Sequence, residues 1–271
     1  MSRVFFAREL DTAATFWRIY RTDGVALGFT THDRDLWFDG LLHRSAPGLT
    51  PSSIRRTADL GGDAVDIQGA LAHDTISAED LAAGRFDGAR VVIGVVDWNT
   101  LEQAALYGGS IGGISGDGDS FTAELRSAKA VLNADPVPRT SPTCRARFCA
   151  PGCNLSPALF EREAVIERID LDGNAVAFRG MDAHAFAFGE VRWIDGPHGG
   201  QIMTLRPGRD GLLTCGAPLS PQLAPGTRVI LREGCDHRLE TCANRFGNAA
   251  NFQGEPFLPG NDLLAQYPVQ R

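Results

Sequence analysis

Six cysteines carry most of the chemistry open to this sequence, and none precedes Cys144. Cys144, Cys149 and Cys153 fall within CRARFCAPGC, while Cys235 and Cys242 bracket CDHRLETC. Eight residues separate Cys144 from Cys153 and six separate Cys235 from Cys242, with Gly152 and Gly234 immediately before Cys153 and Cys235. Both segments read as loops able to curl around an ion, and thiolate is a soft donor suited to zinc or an iron–sulfur cluster. Neither spacing is the CxxC of common zinc ribbons. The residues alone therefore leave two readings open: a metal or cluster site, or buried and chemically inert cysteines. Cys149 is a competing donor in the first segment. Cys215, in LLTCGAP, reads as a small core residue at a strand end.

Other chemistry-bearing groups carry less. His32-Asp33-Arg34-Asp35 has the residue types of an acid–base or metal site, but its context after a strand favours an Asx-type turn with Arg pairing. The glycine-rich Gly109–Gly118 stretch lacks the GK[ST] ending of a phosphate loop and is expected to be a hairpin tip. Asp117 and Asp119 resemble calcium-loop donors without the remaining ligand positions. Gly112-Gly113-Ile114-Ser115-Gly116 is one residue out of register for a nucleophile elbow. A cysteine peptidase would need Cys149 or Cys215 beside His184 or His198, and nothing around those residues supports one.

Positioning these groups falls to a chain of 271 residues with net charge −7 and a pI near 5.4. An acidic surface argues against wrapping duplex DNA. Lys129 is the only lysine, so cationic side chains are nearly all Arg, suited to planar hydrogen-bonded pairing. With 43% hydrophobic and 22% charged residues the chain is neither disordered nor membrane-embedded. Val91 to Val96 is broken by Gly94 and is too short to span a bilayer, and MSRVFFAREL lacks the apolar stretch of a signal peptide. The expected place of synthesis is a reducing cytoplasm, where thiols stay reduced.

The elements read as mainly β: two β-sandwich or barrel-like modules, few short helices and a loop-rich, cysteine-stapled C-terminal region. Thr15–Thr30 places two apolar runs around Asp23-Gly24 and predicts a hairpin. Trp37 and Phe38 open a further strand, and Ala89–Trp98 predicts a buried one. Ser77 and Asp80 predict a short helix that Gly84 ends, and Ile111–Ser120 predicts a flexible loop. Pro136, Pro138 and Pro142 mark a boundary between a 1–135 N-terminal module and a 136–271 cysteine-bearing module. Beyond it, Ala175–Ile194, Gln201–Leu205 and Arg228–Arg232 read as strands, Glu240–Asn244 as a helical turn, and Asn251–Asn261 as irregular.

The segment GCDHRLETCANRFGNAANFQGEPFLPGND resembles the C-terminal signature of tail hub proteins of gene transfer agents and siphophage-like prophages. Its skeleton is carried by Gly234, Cys235, Asp236, Thr241, Cys242, Phe246, Asn248, Asn251, Phe252, Gly254, Pro256, Pro259, Gly260 and Asp262. LGFTTHDRDLWFDG, LAHDTISAEDLAAGRFDGARV and VVDW are similar to that family's opening segments, in the same order. The resemblance implies a [4Fe–4S] cluster held by Cys144, Cys153, Cys235 and Cys242, with structural zinc as the second candidate. It makes His237 a neighbour of the site rather than a ligand. Arg147–Gly152 departs from the Gly-Asp-containing bridge usual between the first two cysteines, which is where Cys149 enters.

The resemblance further implies a structural, non-enzymatic role in a virion or gene transfer agent particle. The expected assembly is a homotrimeric baseplate hub that joins the distal tail protein ring to a megatron-like tail-tip fibre protein or to cell-wall-penetrating parts, with a tail peptidase as a further neighbour. DNA would pass through its channel without sequence-specific binding, along an acidic lining. The competing class is an iron–sulfur redox enzyme, which would need a substrate pocket and an electron donor, and the sequence has no flavin or nicotinamide motif.

Overall fold

A computed structural model describes residues 11–45, 50–51, 64–70, 76–117, 120–127, 129 and 137–257. By its internal contacts the chain divides into two compact units, Met1–Pro136 and Val137–Arg271. Both are built mainly from strands.

The first unit is organised on β1 (Ala13–Tyr20), whose alternation serves two apolar layers. Trp17 and Ile19 point into a cluster with Phe29, Phe86, Val91, Ile93 and Leu125, while Ala14 and Phe16 meet Phe38 and Val96 on the other face. β2 (Ala26–Thr30) returns antiparallel, pairing Ile19 with Leu27, as Asp23-Gly24 predicts. Gly24 takes φ +90° in that turn, and Asp23 Oδ1 accepts from Val25 N at 3.3 Å. The remaining strands are β3 (Leu36–Phe38), β4 (Leu41–Arg44), β5 (Thr50–Pro51), β6 (Ala64–Ala70), β7 (Arg90–Asp97), β8 (Gln103–Asp117) and β9 (Ser120–Ser127). They form one nine-stranded sheet in the order β3-β4-β2-β1-β7-β8-β9-β6-β5. The helix α1 (Ala78–Ala82) starts as expected, with the Ser77 hydroxyl accepting from Asp80 N.

The glycine-rich stretch corrects the sequence expectation. Ile111–Asp117 and Ser120 are strand, not loop; residues 118–119, Asp119 among them, lie outside the described residues. Gly109 answers to crowding, since a Cβ there would strike the Arg126 carbonyl and the Tyr107 ring, whereas Gly113 has room for one.

In the second unit six antiparallel strands close a barrel in the order β10-β11-β14-β13-β12-β15. These are β10 (Glu161–Asp170), β11 (Ala175–Phe178), β12 (Glu190–Trp193), β13 (Ile202–Pro207), β14 (Leu213–Cys215) and β15 (Arg228–Arg232). Closure removes exposed strand edges, and the interior is filled by Ile166, Val176, Val191, Trp193, Leu205, Leu213, Val229 and Leu231. The Ala175–Ile194 run is not strand throughout: α2 (Ala183–Phe186) interrupts it, capped by Asp182 accepting from His184 N. After β15 comes α3 (Leu239–Asn244), and single 3-10 turns occupy Pro157–Leu159 and Ala249–Asn251. Among the described residues no helix is long and apolar enough to cross a membrane.

Candidate metal centre

Two loops of the barrel unit deliver the cysteines. Gly152 stands at φ +96°, a left-handed conformation that turns the chain directly before Cys153. Gly234 passes so close to the Ala187 carbonyl that no Cβ fits, which lets the chain leave β15 and present Cys235. The Asp236 carboxylate then accepts from Arg238 N at 3.0 Å and from the Thr241 hydroxyl at 2.9 Å, closing the loop onto α3 and Cys242.

The loops are sewn together by backbone bonds. Cys144 N donates to His237 O at 2.8 Å, and His237 Nδ1 lies 3.0 Å from Cys144 O. Arg145 N donates to Gln253 O at 3.0 Å, and the Arg145 guanidinium grips the Glu255 carboxylate at 2.7 Å.

Cys144, Cys153, Cys235 and Cys242 all line one small cavity of about 10 Å³, with Phe148, Leu155, His237, Phe246, Asn248 and Asn251. Cys242 interacts electrostatically with Cys144 and Cys153, and Cys235 with Cys242 and Cys153. Three of the sulfurs are within donor reach: Gln253 N lies 3.4 Å from Cys144 Sγ, His237 N 3.4 Å from Cys235 Sγ, and Asn248 Nδ2 3.6 Å from Cys153 Sγ. Donors aimed at sulfur stabilise thiolate and tune a metal bound to it. Phe148, Phe160 and Phe246 pack with centroids 4.7 to 5.5 Å apart, an apolar wall on this side of the loops.

Burial pushes the Cys235 and Cys242 thiols up, and neighbouring sulfurs push the same way. Sulfurs crowded into such a cavity become anionic most readily against a positive centre. Among the described residues, no group of three or more His, Cys, Asp or Glu side chains is already drawn together around a single ion's position. The four cysteines surround a space rather than meet at a point. An all-sulfur donor set with N–H groups aimed at it and an apolar wall fits a soft thiophilic centre.

The other cysteines lie apart from this lining. Cys149 sits at φ +58°, and burial, followed by the nearby Cys153, pushes its thiol up to about 11. Cys215 ends β14 in the barrel core, where burial pushes it up to about 12. His198 is fully buried with both ring nitrogens engaged, Nδ1 by Gln201 Oε1 at 2.8 Å and Nε2 by Ser220 N at 2.9 Å, which suits a structural role better than that of a catalytic base. His184 lines a separate open pocket with Phe188, Asp236 and Arg245. His32 to Asp35 form a turn held by side-chain-to-backbone bonds, Arg34 N to His32 Nδ1 at 3.1 Å and Ser45 N to Asp35 Oδ1 at 2.9 Å. Asn248 and Gln253 are the site residues that cysteine spacing does not reveal. Asn248 stands in the C-terminal signature, whereas the Gln253 contribution is a backbone N–H with no side-chain signal.

Residues 4–156 match the family model described as baseplate hub protein, N-terminal attachment domain. The chain belongs to the baseplate hub protein family. Residues 184–262, which contain Cys235 and Cys242, match a second model, phage conserved hypothetical protein BR0599. Among solved structures, a chain of the "virion of native gene transfer agent (GTA) particle" is 31% identical, with a TM-score of 0.84 over 99% of this chain and 96% of that one. The search of curated proteins found no match. This hub protein is thus a structural component of a phage-type tail baseplate, and its place is the virion.

Proposed function

We propose that this hub protein forms a trimer at the distal end of a phage-like or gene transfer agent tail. There it joins the distal tail ring to the tip, fibre-bearing or cell-wall-penetrating parts, which include a megatron-like fibre protein and a tail peptidase, and frames the channel through which DNA leaves. The role is geometric and non-enzymatic. Ring-forming contacts of this type are heterologous and bury large surfaces only on assembly. The net charge of −7 suits a lumen along which DNA slides without sticking. The observation that carries the reading is the match to a gene transfer agent virion chain across 99% of this one. Its test is a reconstruction of the purified particle's tail tip. Three copies around an acidic lumen are expected; a tip lacking the polypeptide, or a basic phosphate-gripping lumen, would contradict the proposal in its two parts.

Within that hub, Cys144, Cys153, Cys235 and Cys242 are the residues that would hold a [4Fe–4S] cluster, with structural zinc as the second occupant. When bound, the group supplies metal–thiolate bonds that tie two segments about 90 residues apart, shrinking the freedom of the intervening chain. The protein's own residues do the rest. Gln253, His237 and Asn248 aim N–H groups at sulfur, Phe148 and Phe246 keep water away, and Asp236 holds the second loop in shape. The cluster acts as a clasp, so reducing it should change stability and nothing else; turnover with an electron donor would instead favour a redox enzyme.

A further inference from the structure

The outer face of the barrel carries a groove of about 190 Å³ lined by Glu161, Glu190, Arg192, Ile202, Ile230 and Arg232. Register puts Arg192 of β12 between Ile202 of β13 and Ile230 of β15. Ile202 is 57% exposed, and Arg192 is exposed beside it. The acids of this face are already held within the chain. Glu190 accepts from Arg147 on one carboxylate oxygen and from Arg232 on the other, and Arg232 also binds Glu161 at 2.7 Å. Glu163, opposite Ile230 on β10, acts electrostatically on Arg228. Among the described residues, the Arg192 guanidinium has no ion-pair or hydrogen-bond partner.

The same unit presents a matching knob. The β10–β11 hairpin turns at Leu171, Asp172 and Gly173, where Leu171 is 46% exposed and Asp172 is exposed. Of the large exposed apolar residues described in this unit, Leu171 alone adjoins a carboxylate with no partner in the chain, that of Asp172. Asp195, beside the exposed Ile194, is bonded to Arg228 at 2.8 Å. The turn is rigid. Asp170 Oδ1 accepts from Gly173 N at 2.9 Å, and Asn174 ties the turn to the barrel by donating to Cys215 O at 2.8 Å and Ala217 O at 3.0 Å. A turn and a groove that are both fixed beforehand lose little freedom on meeting.

We propose that the Leu171–Asp172 turn of one copy inserts into the Ile202–Arg192–Ile230 groove of the next, with the Asp172 carboxylate on the Arg192 guanidinium. The proposal rests on the reading of the hub as a ring of copies and names the residues that join them. Copies of a chain with net charge −7 repel one another, so a contact between them calls for an unpaired cation set against an unpaired acid. Arg192 and Asp172 provide one of each, and each has an apolar neighbour to exclude water around the pair. Knob and groove are different patches of the chain, which makes the contact heterologous and lets it repeat around an axis until a ring closes. Groove against groove would instead set Arg192 against Arg192.

Photo-cross-linking in assembled tails tests the contact, with the photoreactive residue p-benzoylphenylalanine in place of Ile202. Irradiation should yield multiples of the chain mass, and mass spectrometry should find the peptide containing Leu171 and Asp172 as the partner. Arg192→Glu or Asp172→Arg alone should cut this product about tenfold or more, and the two together should restore it. Unchanged melting of the single variants separates lost contact from lost folding. A cross-link to another polypeptide or to a different segment of this chain, no product, or failure of the double exchange in a folded chain would overturn the proposal. A copy number other than three, with the expected cross-link present, would overturn the trimer reading and support this contact. Tails that lack the polypeptide would overturn the baseplate reading and the proposal with it.

Discussion

Cys144 and His237 bond each other twice: the Cys144 amide donates to the His237 carbonyl at 2.8 Å, and His237 Nδ1 meets the Cys144 carbonyl at 3.0 Å. The two cysteine-bearing loops are thereby fixed edge to edge before any metal is considered. His237 holds φ +61°, a conformation that costs most residues on the order of 1 kcal/mol. His237→Ala should therefore weaken the C-terminal module by about 1–2 kcal/mol, losing the Nδ1 bond while keeping the strained backbone. His237→Asn, which tolerates this conformation and can donate to the same carbonyl, should recover part of the loss. Thermal melting, with the rate at which a chelator strips iron, separates the two variants.

Asn248 is buried, and its amide donates to Cys153 O at 2.8 Å while lying 3.6 Å from Cys153 Sγ. Its own Oδ1 accepts from Asn251 Nδ2 at 2.7 Å. Removing the amide strands a buried carbonyl, so Asn248→Ala should cost about 1–3 kcal/mol in denaturant unfolding of the C-terminal module. Asn248→Asp places a carboxylate next to sulfur and should lower iron content as well.

Replacing Cys144, Cys153, Cys235 or Cys242 by Ser, one at a time, should abolish the visible absorbance of the protein purified without oxygen. Cys149→Ser and Cys215→Ser should leave it intact, because Cys149 lies outside the cavity lining and Cys215 lies in the barrel core. Cys215, its thiol held up to about 12 by burial, should also resist alkylation in the folded protein.

His43 gives the N-terminal module a pH dependence. Burial, reinforced by Arg18, lowers its pKa from 6.5 to about 4. Between these values the unfolded chain binds a proton that the folded chain refuses. Its contribution is fully present above pH 6.5 and is lost as the pH falls to about 4, up to about 3 kcal/mol. Melting temperatures across that window should fall, and His43→Gln, which cannot charge, should flatten the slope.

Residues with strong local signatures announced their elements. Asp23-Gly24 placed a hairpin, the β-branched run before Asp97 placed β7, and Ser77 placed the start of α1. Gly109 misled because glycine marks a turn and a crowded strand alike; only the partner strand, with Arg126 against it, tells them apart. β10 was silent because EREAVIERID hides a barrel strand among charges, with Ala164 and Ile166 buried. Of the candidate site, the four cysteines that line the cavity were singled out by the resemblance, since their spacing alone left inert cysteines equally open. The donors to their sulfurs were not, since two are backbone N–H groups whose placement only the folded chain decides.

The most direct measurement is iron and acid-labile sulfide on the full chain purified anaerobically. One [4Fe–4S] cluster per chain predicts the two in equal amounts, lost together when Cys235 is replaced by Ser. Protein free of both, or carrying zinc alone, would contradict the cluster clasp.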